Sequence, residues 1–149
     1  MAVDVETEVT IERPRAEVAR YAADPDNVPS WYENIESVAW VTEKPVAVGS
    51  RISFVARFLG RKLEYTYEIT TYVAGEKLVM RTAEGPFPME TSYRWGDARS
   101  GGTVMSLRNR GEPAGFSNIV APFMTAAMRR ANKKDLALLK TILEARTGL

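Results

Sequence analysis

Residues 117–146 read SNIVAPFMTAAMRRANKKDLALLKTILEAR, and their spacing decides the fold. Val120, Phe123, Met124, Ala127, Met128 and Ala131 recur at helical intervals, followed by Leu138, Leu139, Ile142 and Leu143. Arg129, Arg130, Lys133, Lys134 and Lys140 mostly cover the other side, as a solvated face. Pro122 is tolerated in the first turns, where its missing N–H has no helical partner to lose. One long amphipathic helix is therefore expected over Ser117 to Arg146. An apolar stripe of that length needs a surface to cover.

The preceding chain supplies one. Val3 to Ile11 alternates Val3, Val5, Thr7, Val9 and Ile11 against Asp4, Glu6, Glu8 and Thr10, which is the period of a half-buried strand. Further strands are predicted at Ile35–Thr42, Arg51–Leu59, Lys62–Val73, Lys77–Thr82, Glu90–Trp95 and Thr103–Arg110. Their connections are short and carry turn residues: Gly60-Arg61, Ala74-Gly75, AEGPFP and GDARSGG. Short links between successive strands imply an antiparallel meander, apolar on one face and charged on the other. Between the first two strands, Pro14 opens a short helix, and Pro25 and Pro29 restrict the next segment to another short turn ending at Trp31. The expectation is an α+β fold: a curved seven-stranded antiparallel sheet wrapped around a long C-terminal helix, with two short helices after the first strand. The whole chain reads as a single domain.

Composition bounds the function. The 149 residues carry 20 basic and 19 acidic side chains, and the net charge of +1 gives no global attraction for nucleic acid. The start, MAVDVETEVTIE, is acidic and alternating, unlike a secretory signal, and no apolar run is long enough to insert stably in a membrane. Cytoplasm is the default location. The sequence has no Cys and no His. Ser-His and Cys-His nucleophile systems and nearly all zinc sites are thereby excluded. The acidic set Glu6, Glu8 and Glu12 lacks calcium-loop spacing, and no Gly-Lys-Ser/Thr or dinucleotide fingerprint occurs. No metal or cofactor is expected.

Three segments carry a resemblance. DPDNVPSWYENIESVAW (residues 24–40), RRANKKDLALLKTILE (129–144) and, most specifically, RTAEGPFPMETSYRW (81–95) make the chain similar to the START-like, helix-grip superfamily. Within it, the chain is most similar to the polyketide cyclase/dehydrase and lipid-transport group. The last segment resembles the Arg-x-x-x-Gly-Pro-Phe stretch of aromatic polyketide aromatase/cyclases. The resemblance implies a deep hydrophobic cavity between sheet and long helix, used for lipids, polyketides, sterols, hormones or quinones. It also implies catalysis by a cavity Tyr and Arg. Here the strand from Lys62 to Val73 places Leu63, Tyr65, Tyr67, Ile69 and Thr71 inward and no Arg. No position is given a catalytic role.

The expected ligand-facing set is Phe54, Tyr65, Tyr67, Met80, Tyr93, Trp95, Phe123, Met124 and Met128, with the Trp31-Tyr32 turn and Phe87 near the mouth. Buried tyrosine hydroxyls need partners, and methionines pack adaptably, so this set suits a pocket with apolar walls and a few polar tips. Ala126, Ala127 and Ala131 place the free volume under the first half of the helix. Trp31 is expected at the rim because two prolines hold a surface turn; a plug in the core is the alternative. Arg81 has two readings. Strand parity turns it outward beside Met80, unless the Gly-Pro bend shifts the register and brings its planar fork inward. The leading function is binding of a small hydrophobic molecule. An aromatase/cyclase or dehydratase-type enzyme, and an interaction module similar to Hsp90 activators, are the alternatives.

Overall fold

The computed structural model describes residues 3–58, 60–85, 88–111 and 120–146. The elements run β1 (Val3–Ile11), α1 (Arg15–Ala23), a 3-10 turn (Pro25–Asn27), α2 (Val28–Trp31), β2 (Ile35–Trp40), β3 (Arg51–Phe58), β4 (Arg61–Val73), β5 (Lys77–Glu84), β6 (Met89–Asp97), β7 (Thr103–Gly111) and α3 (Val120–Glu144). The strands form one antiparallel seven-stranded sheet in the order β1-β7-β6-β5-β4-β3-β2. β1 therefore closes one edge against the last strand, and β2 forms the other. α3 packs across the inner face, most closely on β1. This is the expected helix-grip arrangement. Positions 117–119, where the helix was expected to begin, lie outside the described residues.

Two bulges set the register between β4 and β5, and a third lies at Glu36 on β2. Ile69 pairs with Met80 and Thr71 with Val79, so Thr70 is the extra residue on β4. Beyond it the faces exchange: Thr71 turns outward and Tyr72, opposite Leu78, packs on the core. The inward placement expected for Thr71 is thereby corrected. The second bulge lies at Ala83, since Tyr67 pairs with Thr82 and Thr66 with Glu84. It falls beyond Arg81, whose parity is untouched.

The interior divides into two parts. The larger cluster joins Trp31, Ile52, Phe54, Leu78, Met80, Tyr93, Trp95, Met105 and Leu107 to Leu136, Leu139 and Leu143 of the second half of α3. A smaller one gathers Val3, Val5, Tyr65 and Met89 around Met124 and Met128 of the first half. The buried stripe of α3 is rotated from the one expected. Phe123 is 75% exposed and Leu138 also faces solvent, while Leu136, Asn132 and Asp135 are buried.

Candidate functional site

A cavity of about 130 Å³ lies where the two clusters meet, between α3 and strands β3, β4 and β6. Its walls are Phe54, Tyr65, Tyr67 and Met89 from the sheet, and Met124, Met128 and Ala131 from the helix. Asn34, Ile35, Ala56 and Leu63 complete it and are only partly buried, which marks its open side. The volume suits about one aromatic ring, since an apolar cavity of ~150 Å³ accepts benzene. The Leu-rich half of α3 packs directly on the core, and the space falls under the Met/Ala half.

The sheet makes these walls by alternation. Phe54 on β3 and Tyr65 on β4 are directly paired, as are Ile52 and Tyr67. The rings meet as a ladder: Phe54 lies edge-on to Tyr67 at 5.8 Å, and Tyr67 sits 5.8 Å from Tyr65. Gly85 explains how Tyr65 keeps its place. A Cβ there would fall 2.6 Å from the Tyr65 ring, so the ring packs on bare backbone.

Several polar groups interrupt the apolar wall. Asn132 is 4% exposed, and its Nδ2 has no hydrogen-bond partner among the described residues. Asp135 is 2% exposed; its Oδ1 accepts the Glu33 backbone N–H at 3.1 Å. Desolvation pushes its carboxyl up to about 7, against the opposing pull of that hydrogen bond. Tyr32 lines the cavity and shares a 3.1 Å hydrogen bond with the Tyr93 hydroxyl. Burial raises both phenols well beyond the ordinary range. Tyr67 is pushed up to about 12 by burial, with its hydrogen bond to Thr91 acting in the other direction. Thr91 in turn donates to Asn109 Oδ1 at 2.7 Å, so Asn109 reaches the cavity already engaged.

An unpaired buried amide beside a carboxyl that titrates near neutrality is an unusual wall. Buried amides are nearly always satisfied, and an orphan costs about 1–3 kcal/mol. The Trp31 and Trp95 indoles and Thr7 Oγ1 are also buried without partners, but none of these residues lines the cavity. Asn132 can donate to an oxygen on a bound molecule. Asp135 can donate to that molecule when protonated or accept from it when ionised.

The expected ligand-facing residues separate into groups. Phe54, Tyr65, Tyr67, Met124 and Met128 line the cavity. Met80, Tyr93 and Trp95 are core residues behind it; Tyr93 reaches it only through Tyr32. Trp31 is fully buried, its ring 4.4 Å from Tyr32 and 5.8 Å from Tyr93. It is a plug, not a rim, because the prolines turn the chain back across the sheet end and drive the indole into the core. The next residue, Tyr32, takes the cavity position. Phe123 points away. Arg81 is 67% exposed on the outer face and pairs with Glu90 at 3.4 Å. Phe87 lies outside the described residues.

Asn132 and Asp135 were not anticipated, and Tyr32 was expected only as part of the Trp31-Tyr32 turn near the mouth. A signal existed for the first two: Met124, Met128, Asn132, Asp135 and Leu139 recur at steps of three and four. Polar residues in phase with a buried stripe are candidates for a site. Larger hollows, of about 720 and 340 Å³, lie on the opposite face of the sheet and are lined by charged side chains. The larger of them also touches Val3, Pro88 and Met89, and a further hollow of about 290 Å³ lies by the 3-10 turn, lined by Pro25, Trp40, Pro45 and Tyr72. Among the described residues no group of three or more Asp/Glu converges to hold a metal, and no described helix is long and apolar enough to cross a membrane.

Known proteins share this architecture. TTHA0849 from Thermus thermophilus superposes with a TM-score of 0.83 at 21% identity, over 97% of this chain and 99% of that one. The Zhui aromatase/cyclase from Streptomyces sp. R1128 gives 0.82 at 19% identity, over 98% and 96% of the two chains. A START superfamily protein from Mycobacterium smegmatis gives 0.72 at 13% identity, over 96% and 95%. These likenesses concern the fold. Comparison with curated proteins returns no match. The family model for polyketide cyclase / dehydrase and lipid transport matches residues 2–144, and the chain belongs to that family.

Proposed function

We propose that the chain binds a small, largely apolar molecule carrying an oxygen function, seated between the sheet and the first half of α3. The observation that supports this most directly is the Nδ2 of Asn132, unpartnered among the described residues in a mostly apolar wall. A ligand oxygen would satisfy it, and ring or chain atoms would fill the space against Phe54, Tyr65 and Met128. Ligands larger than one ring fit by extending through the partly exposed side or by rearranging Met124 and Met128, whose unbranched side chains repack readily. Native mass spectrometry of the purified protein, followed by solvent extraction, tests the reading. A co-purifying apolar molecule, or saturable binding of acetophenone in the cavity, supports it. Absence of both counts against it.

Asp135 favours a second reading, a cyclase or dehydratase-type enzyme using the same cavity. A carboxyl held near 7 is suited to give and retrieve a proton at neutral pH. Asn132 would hold the ligand carbonyl while Asp135 protonates an oxygen that leaves as water or becomes an enol, and the resulting carboxylate takes the proton released from the adjacent carbon. Turnover of a poly-β-carbonyl substrate that is lost in Asp135→Asn, with binding retained, would separate the enzyme from the carrier.

A further inference from the structure

The outer face of the sheet obeys a charge rule along one row and breaks it at two places; at the first, Arg57 opposite Lys62, Glu36 pairs with Arg57. Across six strands the register aligns Arg51, Glu68, Arg81, Glu90, Arg110 and Asp4, alternating in sign at every step. The second place lies four residues before Arg81 on β5. Lys77 is directly opposite Arg94. Like charges facing each other across strands are destabilising. Among the described residues neither makes an ion pair, whereas Arg108 is held by Asp4 at 2.9 and 2.7 Å, and Arg81 and Arg110 share Glu90.

Lys77 and Arg94 border a hollow of about 340 Å³ whose lining also includes Arg81, Arg108 and Arg110 and the carboxylates of Glu6 and Glu90, so cations outnumber anions around it. Its floor is Val79, only 8% exposed although it faces away from the core. Ser92 pairs with Val79, and Ser106 pairs with Arg94, so two hydroxyls stand on the same surface. One ammonium, one free guanidinium and two hydroxyls offer more donors than a carboxylate has oxygens, and they match a tetrahedral oxyanion. The hollow also leaves room beside that group for the molecule that carries it. Local rules are broken mainly at functional positions.

We propose that this outer hollow is a second binding site, separate from the cavity, for a phosphate monoester seated between Lys77 and Arg94. The source is a free phosphorylated small molecule or a lipid headgroup, which share that chemistry.

The test is titration with phenyl phosphate at ionic strength held constant with sodium chloride, followed by amide chemical shifts. Saturable shifts are expected at Lys77, Ser92, Arg94 and Ser106, with none at Asn132. Lys77→Gln/Arg94→Gln is expected to weaken binding about tenfold or more. Without phosphate the double variant should be at least as stable as the parent, because the repulsion is gone. A purely structural role would move stability the other way. In parallel, sedimentation with phosphatidylcholine vesicles containing phosphatidic acid distinguishes the sources. Vesicle binding that requires Lys77 and Arg94, without a response to phenyl phosphate, assigns the site to a lipid headgroup. No response to either probe, or responses unchanged in the double variant, overturns the proposal.

Discussion

Asp135 of α3 accepts a hydrogen bond from the backbone N–H of Glu33, 102 residues earlier, at 3.1 Å. This bond ties the long helix to the chain just after α2 and fixes one carboxyl oxygen. It places the only described carboxyl held near neutrality on the wall of the cavity.

A pH dependence results. Folded Asp135 keeps its proton up to about 7, whereas the unfolded carboxyl releases it near 3.8. The folded state binds more protons across that window, so this group's contribution to stability falls as pH rises from 4 towards 7. Asp4, Asp26 and Glu144, lowered by cation partners, act in the opposite sense as acid is added. Asp135→Asn retains an acceptor for Glu33 and removes the titration. Its stability relative to the parent should rise with pH, by about 4 kcal/mol at most near neutrality. Denaturant unfolding at a series of pH values measures it. Parallel pH profiles would refute the assignment.

Asn132→Leu should be neutral or slightly stabilising in the empty protein, because it removes a buried donor without a partner. It should also weaken acetophenone relative to ethylbenzene, which has no oxygen, by about tenfold. Calorimetric titration of both probes reads the difference. Equal losses for the two would show that shape, not hydrogen bonding, was changed.

Trp31→Ala should cost about 3–5 kcal/mol, as expected for truncating a fully buried indole. Tyr32→Phe retains the ring that stacks on Trp31 and loses only the bond to Tyr93. It should cost about 1 kcal/mol. Thermal and denaturant unfolding of the pair test whether the first residue is the plug and the second the cavity wall.

Gly85→Ala should act on the cavity from behind. The new Cβ forces the Tyr65 ring to move, and the space in front of that ring is the cavity. Probe binding should weaken at Gly85→Ala and recover in part when combined with Tyr65→Leu. An unchanged affinity in the single variant would mean that the backbone yields instead.

The change of period from two to 3.6 along the chain was enough to read the antiparallel sheet and the covering helix, but not the pairing of β1 with β7. The site was less legible. Choosing the stripe of α3 by apolarity selected Phe123 and Leu138, which are exposed, and passed over Asn132 and Asp135. Strand parity placed Tyr65 and Tyr67 correctly but failed at Thr71, because one inserted residue at Thr70 exchanges the faces. For Arg81 the outward reading is the one realised, with the register shift falling beyond it. Trp31 was misplaced because prolines report that a chain turns, not which way the next side chain points.

The split interior has a consequence for how a molecule enters. Leu136, Leu139 and Leu143 anchor the C-terminal half of α3 in the larger cluster, while Met124 and Met128 meet only the smaller one. Opening free energies differ along a helix when its contacts do. Amide hydrogens around Met124 to Met128 should exchange through fraying well before those around Leu136 to Leu143, which open only on global unfolding. A molecule of the proposed kind would then reach Asn132 by opening of the methionine end of the helix, without the protein having to unfold.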